Sequence, residues 1–377
     1  MHNKILIGLL GVFLLTASCS DDKSCSRCNI PKRTVLAYLA GDNSLSTEAW
    51  MRRDSLLAGW NPELGTLLIA EHSWQTGQPV LMKAVWNGGK ATTEILNTYG
   101  SGANMADAAV WKQVLADAAT MVPSDHFGLV MFSHATGWLP EGAYEQYAGR
   151  SQRSVTRTLT EGAGKEMALE DFVNAIPDGM FDYILFDMCF MGSVETCYAL
   201  RNKTEWVVAS ATEVVSPGFM PVYHQHLAKL FSMEPDLQGL ARAYFAYFAG
   251  QTGKEQSATI SVINTRHLET LAEVAKKVQA DTAEYPDTAG IQYYDRKGAP
   301  HLFYDLGEYL HALDSGNRYA VTIDSTMSRT VAFRRNTPHF LNIDVRKHSG
   351  LSVYIPLQTQ EPLNAAYRKT AWWQATR

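Results

Sequence analysis

The sequence is short of basic charge, of cysteine and of long apolar runs, and each shortage removes a class of function. Lys and Arg number 33 against 38 Asp and Glu, a formal net charge of −5. Nothing global therefore draws the chain to nucleic acid. Charged residues make up only 19% against 46% hydrophobic, which excludes a disordered chain, since such chains are poor in apolar residues and rich in net charge. Gly (27) and Pro (14) are too few in 377 residues for a collagen-like or low-complexity chain. There is no GxSxG, HExxH or Walker A pattern, so the usual marks of serine hydrolases, zincins and P-loop nucleotide binding are missing. No internal repeat and no long linker interrupts the chain.

The one long apolar run spans residues 5–15, about eleven residues against the roughly 20 that a membrane-spanning helix needs. It follows Lys4 and leads to Thr16-Ala17-Ser18-Cys19. A short cationic start, an apolar stretch and small residues before a cut form a secretory signal peptide over residues 1–18. The small-small-Cys ending resembles the bacterial lipobox, whose cysteine is lipidated and becomes the first residue of the mature chain. Cys19 is thus the expected anchor, and residues 19–32 the expected tether. Ser20-Asp21-Asp22-Lys23 resembles the acidic tag of surface-exposed Bacteroidetes lipoproteins. The expected location is the cell envelope, as an outer-membrane lipoprotein that can reach the cell surface.

Four cysteines remain. Cys25-Ser26-Arg27-Cys28 is a CxxC in the tether, without a strand before it or a second CxxC elsewhere. A thioredoxin-like site and a zinc site both lack what they need, which leaves a local disulfide in an oxidising compartment. His224-Gln225-His226 is poorly spaced for metal binding on one helix face, and Trp372-Trp373 reads at least as well as core packing or a loose chain end as it does as an exposed aromatic patch for a glycan or partner.

The apolar pattern alternates short buried runs with helical stretches through the first two-thirds of the chain. Strands are expected at 34–40, 66–72, 80–86, 126–133, 182–187 and 206–210, with helices at 44–57, 104–121 and 169–176. This order predicts an α/β fold of three layers, a mostly parallel sheet covered on both faces. Later residues read as helices at 222–231, 237–249, 265–280, 302–313 and 318–334, with strands at 256–264 and 350–355. The expected organisation is one domain over 33–377, with a core to about 265 and a helical C-terminal extension from about 266.

Two strand ends carry chemistry. The run 126–133 feeds into His134, and the run 182–187 into Met188-Cys189. Ligands of open α/β sheets sit at the carboxyl ends of strands where the strand order reverses. A Cys and a His meeting there could provide a thiolate nucleophile and a proton donor. A helix expected near Gly192 would direct its N-terminus toward Cys189. Spacing alone leaves the bland reading open, in which Cys189 is a small buried hydrophobe and His134 a satisfied polar residue. Cys197 lies inside an amphipathic run and reads as core.

Residues 34–45 (TVLAYLAGDNSL), 129–138 (LVMFSHATGW), 181–200 (FDYILFDMCFMGSVETCYAL) and 350–356 (GLSVYIP) resemble the clostripain-type cysteine peptidases, which share the caspase–gingipain–legumain architecture. The resemblance implies a caspase-like fold and a cysteine endopeptidase acting on proteins or peptides with Arg or Lys at P1. It implies that Cys189 attacks the scissile carbonyl and that His134 protonates the leaving amine. It implies that Asp187 lines the S1 pocket as the acid selecting the basic side chain, and that the backbone N–H groups of Ala135 and Cys189 form the oxyanion hole. Family members are often activated by cleavage between the His and Cys strands. Here that segment, 139–165, offers Arg150, Arg153, Arg157 and Lys165 as candidate self-cleavage sites.

The family usually has Gly after the His and Asp before it; this chain has Ala135 and Ser133. A requirement for positive φ at residue 135 would strain Ala and misalign the oxyanion hole. The alternative reading is accordingly a caspase-like surface lipoprotein that has lost activity and serves as a binding module. No cofactor is implied as required and no metal site is expected. Some relatives depend on calcium, but without a DxDxDG loop calcium enters by family analogy alone.

Overall fold

The computed structural model describes residues 33–147, 161–162, 165–282, 286–296, 298 and 300–377. Nine strands form the main sheet, numbered here in chain order: β1 (Thr34–Ala40), β2 (Thr66–His72), β3 (Val80–Asn87), β4 (Lys90–Thr98), β5 (Phe127–Phe132), β6 (Phe181–Asp187), β7 (Thr204–Ala209), β8 (Thr259–Asn264) and β9 (Val331–Asn336). Their spatial order is β9-β8-β7-β6-β5-β1-β2-β3-β4. The five central strands β2, β1, β5, β6 and β7 run parallel. Antiparallel pairs extend the sheet at both sides. The chain leaves β1 for β2 on one side and later returns to β5 on the other, so the strand order reverses between β1 and β5.

Both faces of the central strands are buried, which is why these runs are continuously apolar rather than alternating. Leu36, Tyr38, Leu129, Met131, Ile184 and Phe186 face one core. Val35, Leu39, Val130, Phe132, Tyr183 and Leu185 face the other. Helices Ala108–Met121, Leu169–Ala175, Val194–Ala199 and Leu268–Ala280 supply residues to the first core. Helices α1 (Ser46–Gly59), Met220–His226 and Leu237–Ala249 supply the second. The result is the three-layer α/β/α arrangement expected from the sequence.

Two of the later elements differ from expectation. The run 318–334 is helix only over Ala320–Thr330, then becomes edge strand β9 against β8. The late strand pairs over Ser352–Val353 with Tyr304–Asp305, outside the main sheet, and Ser352 also bridges Ser193. Trp372 is buried and meets Tyr198 edge-on, so the terminal Trp pair is packed into the first core. His224 and His226 lie on helix Met220–His226, and no group of metal-ligating side chains occurs among the described residues.

Trp111 centres the first core. It is fully buried, stacks on Phe172 at 5.2 Å and meets Tyr38 edge-on at 4.8 Å. Its Nε1–H donates to the Phe172 carbonyl at 3.2 Å. Trp111→Ala is expected to lower unfolding free energy by about 3–5 kcal/mol. Trp86, half exposed on β3, should cost less than about 0.5 kcal/mol when replaced by Ala. Urea unfolding of the two variants measures the difference, and equal losses would contradict this division of core and surface.

Candidate active site

The register of the two central strands sets the site. Phe132 of β5 pairs with Asp187 of β6. His134 and Cys189 each lie two residues beyond that pair, so parallel strands deliver both to the same level at neighbouring strand ends, where adjacent strands lie about 4.8 Å apart. β1 flanks β5 on the other side, with Leu39 level with Phe132. Its exit brings Ser44 to the His134 ring, Oγ to Nε2 2.8 Å. His134 and Cys189 line one cleft of about 260 Å³ with Leu45, Glu48, Arg52 and Glu213.

Cys189 is half-buried, while Cys197 is fully buried in helix Val194–Ala199. The segment after β7 grips the turn that carries Cys189. Gly192 N–H donates to the Ser210 carbonyl at 2.7 Å and Phe190 N–H to the Thr212 carbonyl at 2.9 Å. Val214 N–H donates to the Cys189 Sγ at 3.3 Å. Phe190 has φ of 59°, the left-handed region that costs a non-glycine residue about 1–3 kcal/mol. Its ring, stacked on Phe303 at 4.5 Å, holds it there. Nothing in the sequence marks Phe190, because no glycine flags the turn. The helix beyond is only six residues long and capped by the Ser193 side chain.

Gly137 takes the left-handed turn after His134, φ 64°, and a Cβ there would meet the Phe190 carbonyl oxygen at 2.8 Å. The turns after His134 and Cys189 are thus packed backbone to backbone. Ala135 has no positive φ, so the Gly-to-Ala departure creates no strain. Among the described residues no backbone carbonyl accepts from the Ala135 or Cys189 N–H, as oxyanion donors require.

Charges around the cleft are paired by the chain itself. By strand alternation Asp187 faces the same side as Phe132, toward α1. Its Oδ2 accepts from Arg52 Nε at 2.7 Å, and its Oδ1 from Phe219 N–H at 3.3 Å. Burial alone would lower the Arg52 pKa; Asp187 and Glu48 more than offset this and raise it. Burial drives the Asp187 carboxyl up while Arg52 draws it down. With a guanidinium at 2.7 Å the pair holds as two charges. Glu213 is bound through both oxygens by Arg296, Nη2 to Oε1 2.9 Å.

The Cys189 thiol is pushed up to about 12, first by burial and then by the negative charge of Glu213, with the Val214 N–H pulling it partly back. Lys165 is exposed on a short ladder of Glu161–Gly162 with Lys165–Glu166. Arg150, Arg153, Arg157, Cys19, Cys25 and Cys28 lie outside the described residues.

The sequence model of the clostripain family matches residues 61–337. An inactive zymogen C11 protease from Parabacteroides distasonis is 27% identical and superposes with a TM-score of 0.78, over 91% of this chain and 97% of its own. A secreted C11 cysteine protease from Bacteroides thetaiotaomicron, in complex with an irreversible peptide inhibitor, is 25% identical with a TM-score of 0.75, over 91% and 98%. A further structure of a secreted C11 cysteine protease from that organism, 22% identical with a TM-score of 0.78 over 92% and 99%, shares the fold. No curated protein matches the chain.

The raised thiol pKa has a measurable sign. A group held above its ordinary value is protonated at neutral pH, and only the thiolate is nucleophilic. Alkylation of Cys189 by iodoacetamide in peptide-free protein should keep accelerating between about pH 8 and 10, past the ordinary cysteine value near 8.5. A rate already level below about pH 8 would contradict the buried, neutral thiol.

Proposed function

The chain belongs to the clostripain family of cysteine peptidases, and from that premise we propose a lipid-anchored endopeptidase that cleaves proteins after Arg or Lys with a Cys189–His134 dyad. The observation that carries the reading is the shared strand level of these two residues, each two positions past the Phe132–Asp187 pair. Cys189 gives its thiol proton to His134 and its sulfur adds to the scissile carbonyl. Negative charge on that oxygen is met by the Ala135 and Cys189 N–H groups. His134 then protonates the leaving amine, leaving a thioester that water hydrolyses to the free acid and thiol. The preference for a basic P1 draws on the net negative charge of the cleft lining, in which three carboxylates, Glu48, Asp187 and Glu213, outnumber two guanidinium groups, Arg52 and Arg296. Without strain at Ala135, no observation favours the binding-module alternative.

Maturation by cutting between the His and Cys strands fits the same reading. The P. distasonis relative is a zymogen, and the exposed Lys165 is one candidate site beside Arg150, Arg153 and Arg157. Both flanking strands belong to one sheet, so a cut chain would stay assembled. Anchoring through Cys19 would hold the enzyme at the cell envelope, since acyl chains contribute about 0.8 kcal/mol per buried CH₂.

Cys189→Ala is expected to lower turnover of Arg-ended fluorogenic peptides by about 10³-fold or more, while Cys197→Ala keeps turnover. Equal loss in both, with folding intact, would sink the nucleophile assignment. Separately, Cys19→Ala should move the protein from the membrane to the soluble fraction. Equal retention of both forms would refute lipidation there.

A further inference from the structure

We infer that Glu48, not Asp187, is the carboxylate that receives a basic P1 side chain, and that Asp187 instead neutralises Arg52 beneath it. The inference rests on the peptidase reading above and names the specificity residue of that same cleft.

Asp187 is sealed. Its side chain has no exposed surface, and its two oxygens take the Arg52 Nε–H and the Phe219 N–H. Gly218 closes over the pair so tightly that a Cβ there would lie 2.3 Å from Asp187 Oδ1 and 2.5 Å from Arg52 Nη2. Arg52 is fixed on every side. Its Nη1 donates to the Glu48 carbonyl and carboxylate at 3.3 and 3.0 Å, and its Nη2 to the Pro217 carbonyl at 3.3 Å. Its guanidinium lies 3.6 Å over the Phe132 ring. A substrate guanidinium could reach Asp187 only by ejecting this residue and leaving a buried cation unpaired. Glu213 is no better placed, because its side chain is nearly buried and both oxygens are bound by Arg296.

Glu48 differs from both. Its side chain is 29% exposed and lines the cleft. It commits Oε2 to Arg52, and among the described residues no donor is bonded to Oε1. Leu45, the N-cap of α1, and Glu48 and Arg52 on it are spaced three and four residues apart, along one helix face, and all three line the cleft. The preceding Ser44 touches His134, so Glu48 sits one turn from the imidazole contact. Arg52 between two carboxylates leaves the cluster one negative charge, and Glu48 alone can offer it to a ligand.

The test compares Arg-ended fluorogenic peptides with citrulline-ended ones, the neutral isostere, on wild type, Glu48→Gln, Glu48→Asp and Asp187→Asn, with thermal unfolding of each. Glu48→Gln is expected to lower the Arg-to-citrulline ratio of kcat/KM by about tenfold or more, through KM for the Arg peptide, at a near-wild-type unfolding temperature. Glu48→Asp should recover part of the ratio. Asp187→Asn should unfold at a clearly lower temperature than Glu48→Gln. An unchanged ratio in Glu48→Gln overturns the inference, as does an Asp187→Asn protein of wild-type stability that has lost the ratio. Wild type that cleaves neither peptide defeats the peptidase reading itself, a result distinct from either.

Discussion

The in-register parallel pairing of β5 with β6 determines where every part of the cleft must lie. Phe132 and Asp187 are its last paired residues, and the catalytic candidates follow each at the same offset. A slip of one residue would turn one side chain to the opposite face and separate them. β1, pairing with β5 on the far side, fixes where Ser44 and the start of α1 emerge. β7, pairing with β6, fixes where residues 210–214 clamp the Cys189 turn. The cleft thus lies at the carboxyl end of a parallel sheet beside its reversal point, as open α/β sheets require.

Charge pairing is the second constraint. Two acids of the cleft, Asp187 and Glu213, are held by Arg52 and Arg296 from the same chain. Unpaired, each would be costly in a buried setting. Beside these pairs the Cys189 thiol is pushed up, first by burial and then by Glu213, with Arg296 pulling it partly back. In the proposed mechanism nucleophilic sulfur arises when His134 takes the proton, and low-dielectric surroundings would strengthen each fixed dipole aimed at the reacting carbonyl.

Much of the architecture was legible because it is written in apolar periodicity. β1 and β2 are continuous buried runs with turn residues at their ends, and the sequence reading placed them at the observed bounds. β4 (KATTEILNT) escaped because it is an exposed hairpin arm whose apolar residues are few. β9 was read as helix because its apolar Val331 and Phe333 extend the spacing of helix Ala320–Thr330; pairing with β8 overrides that pattern. At the site, His134 and Cys189 stood out as residues following buried strands. Arg52 and Glu48 did not, because a helical Arg one turn beyond a Glu reads as a solvent-facing ion pair. Only the tertiary placement of α1 over Asp187 buries it. Phe190 was invisible for a related reason, since its left-handed backbone is imposed by packing on Phe303.

The central claim is that Cys189, at the end of β6, is the nucleophile that meets a substrate carbonyl in this cleft. An Arg-ended peptide carrying an electrophilic ketone in place of the scissile bond would trap that sulfur covalently. Peptide mass mapping of the labelled protein then locates the adduct. The account predicts one equivalent on Cys189 and loss of labelling in His134→Ala; an adduct on Cys197, or none in folded protein, would contradict it.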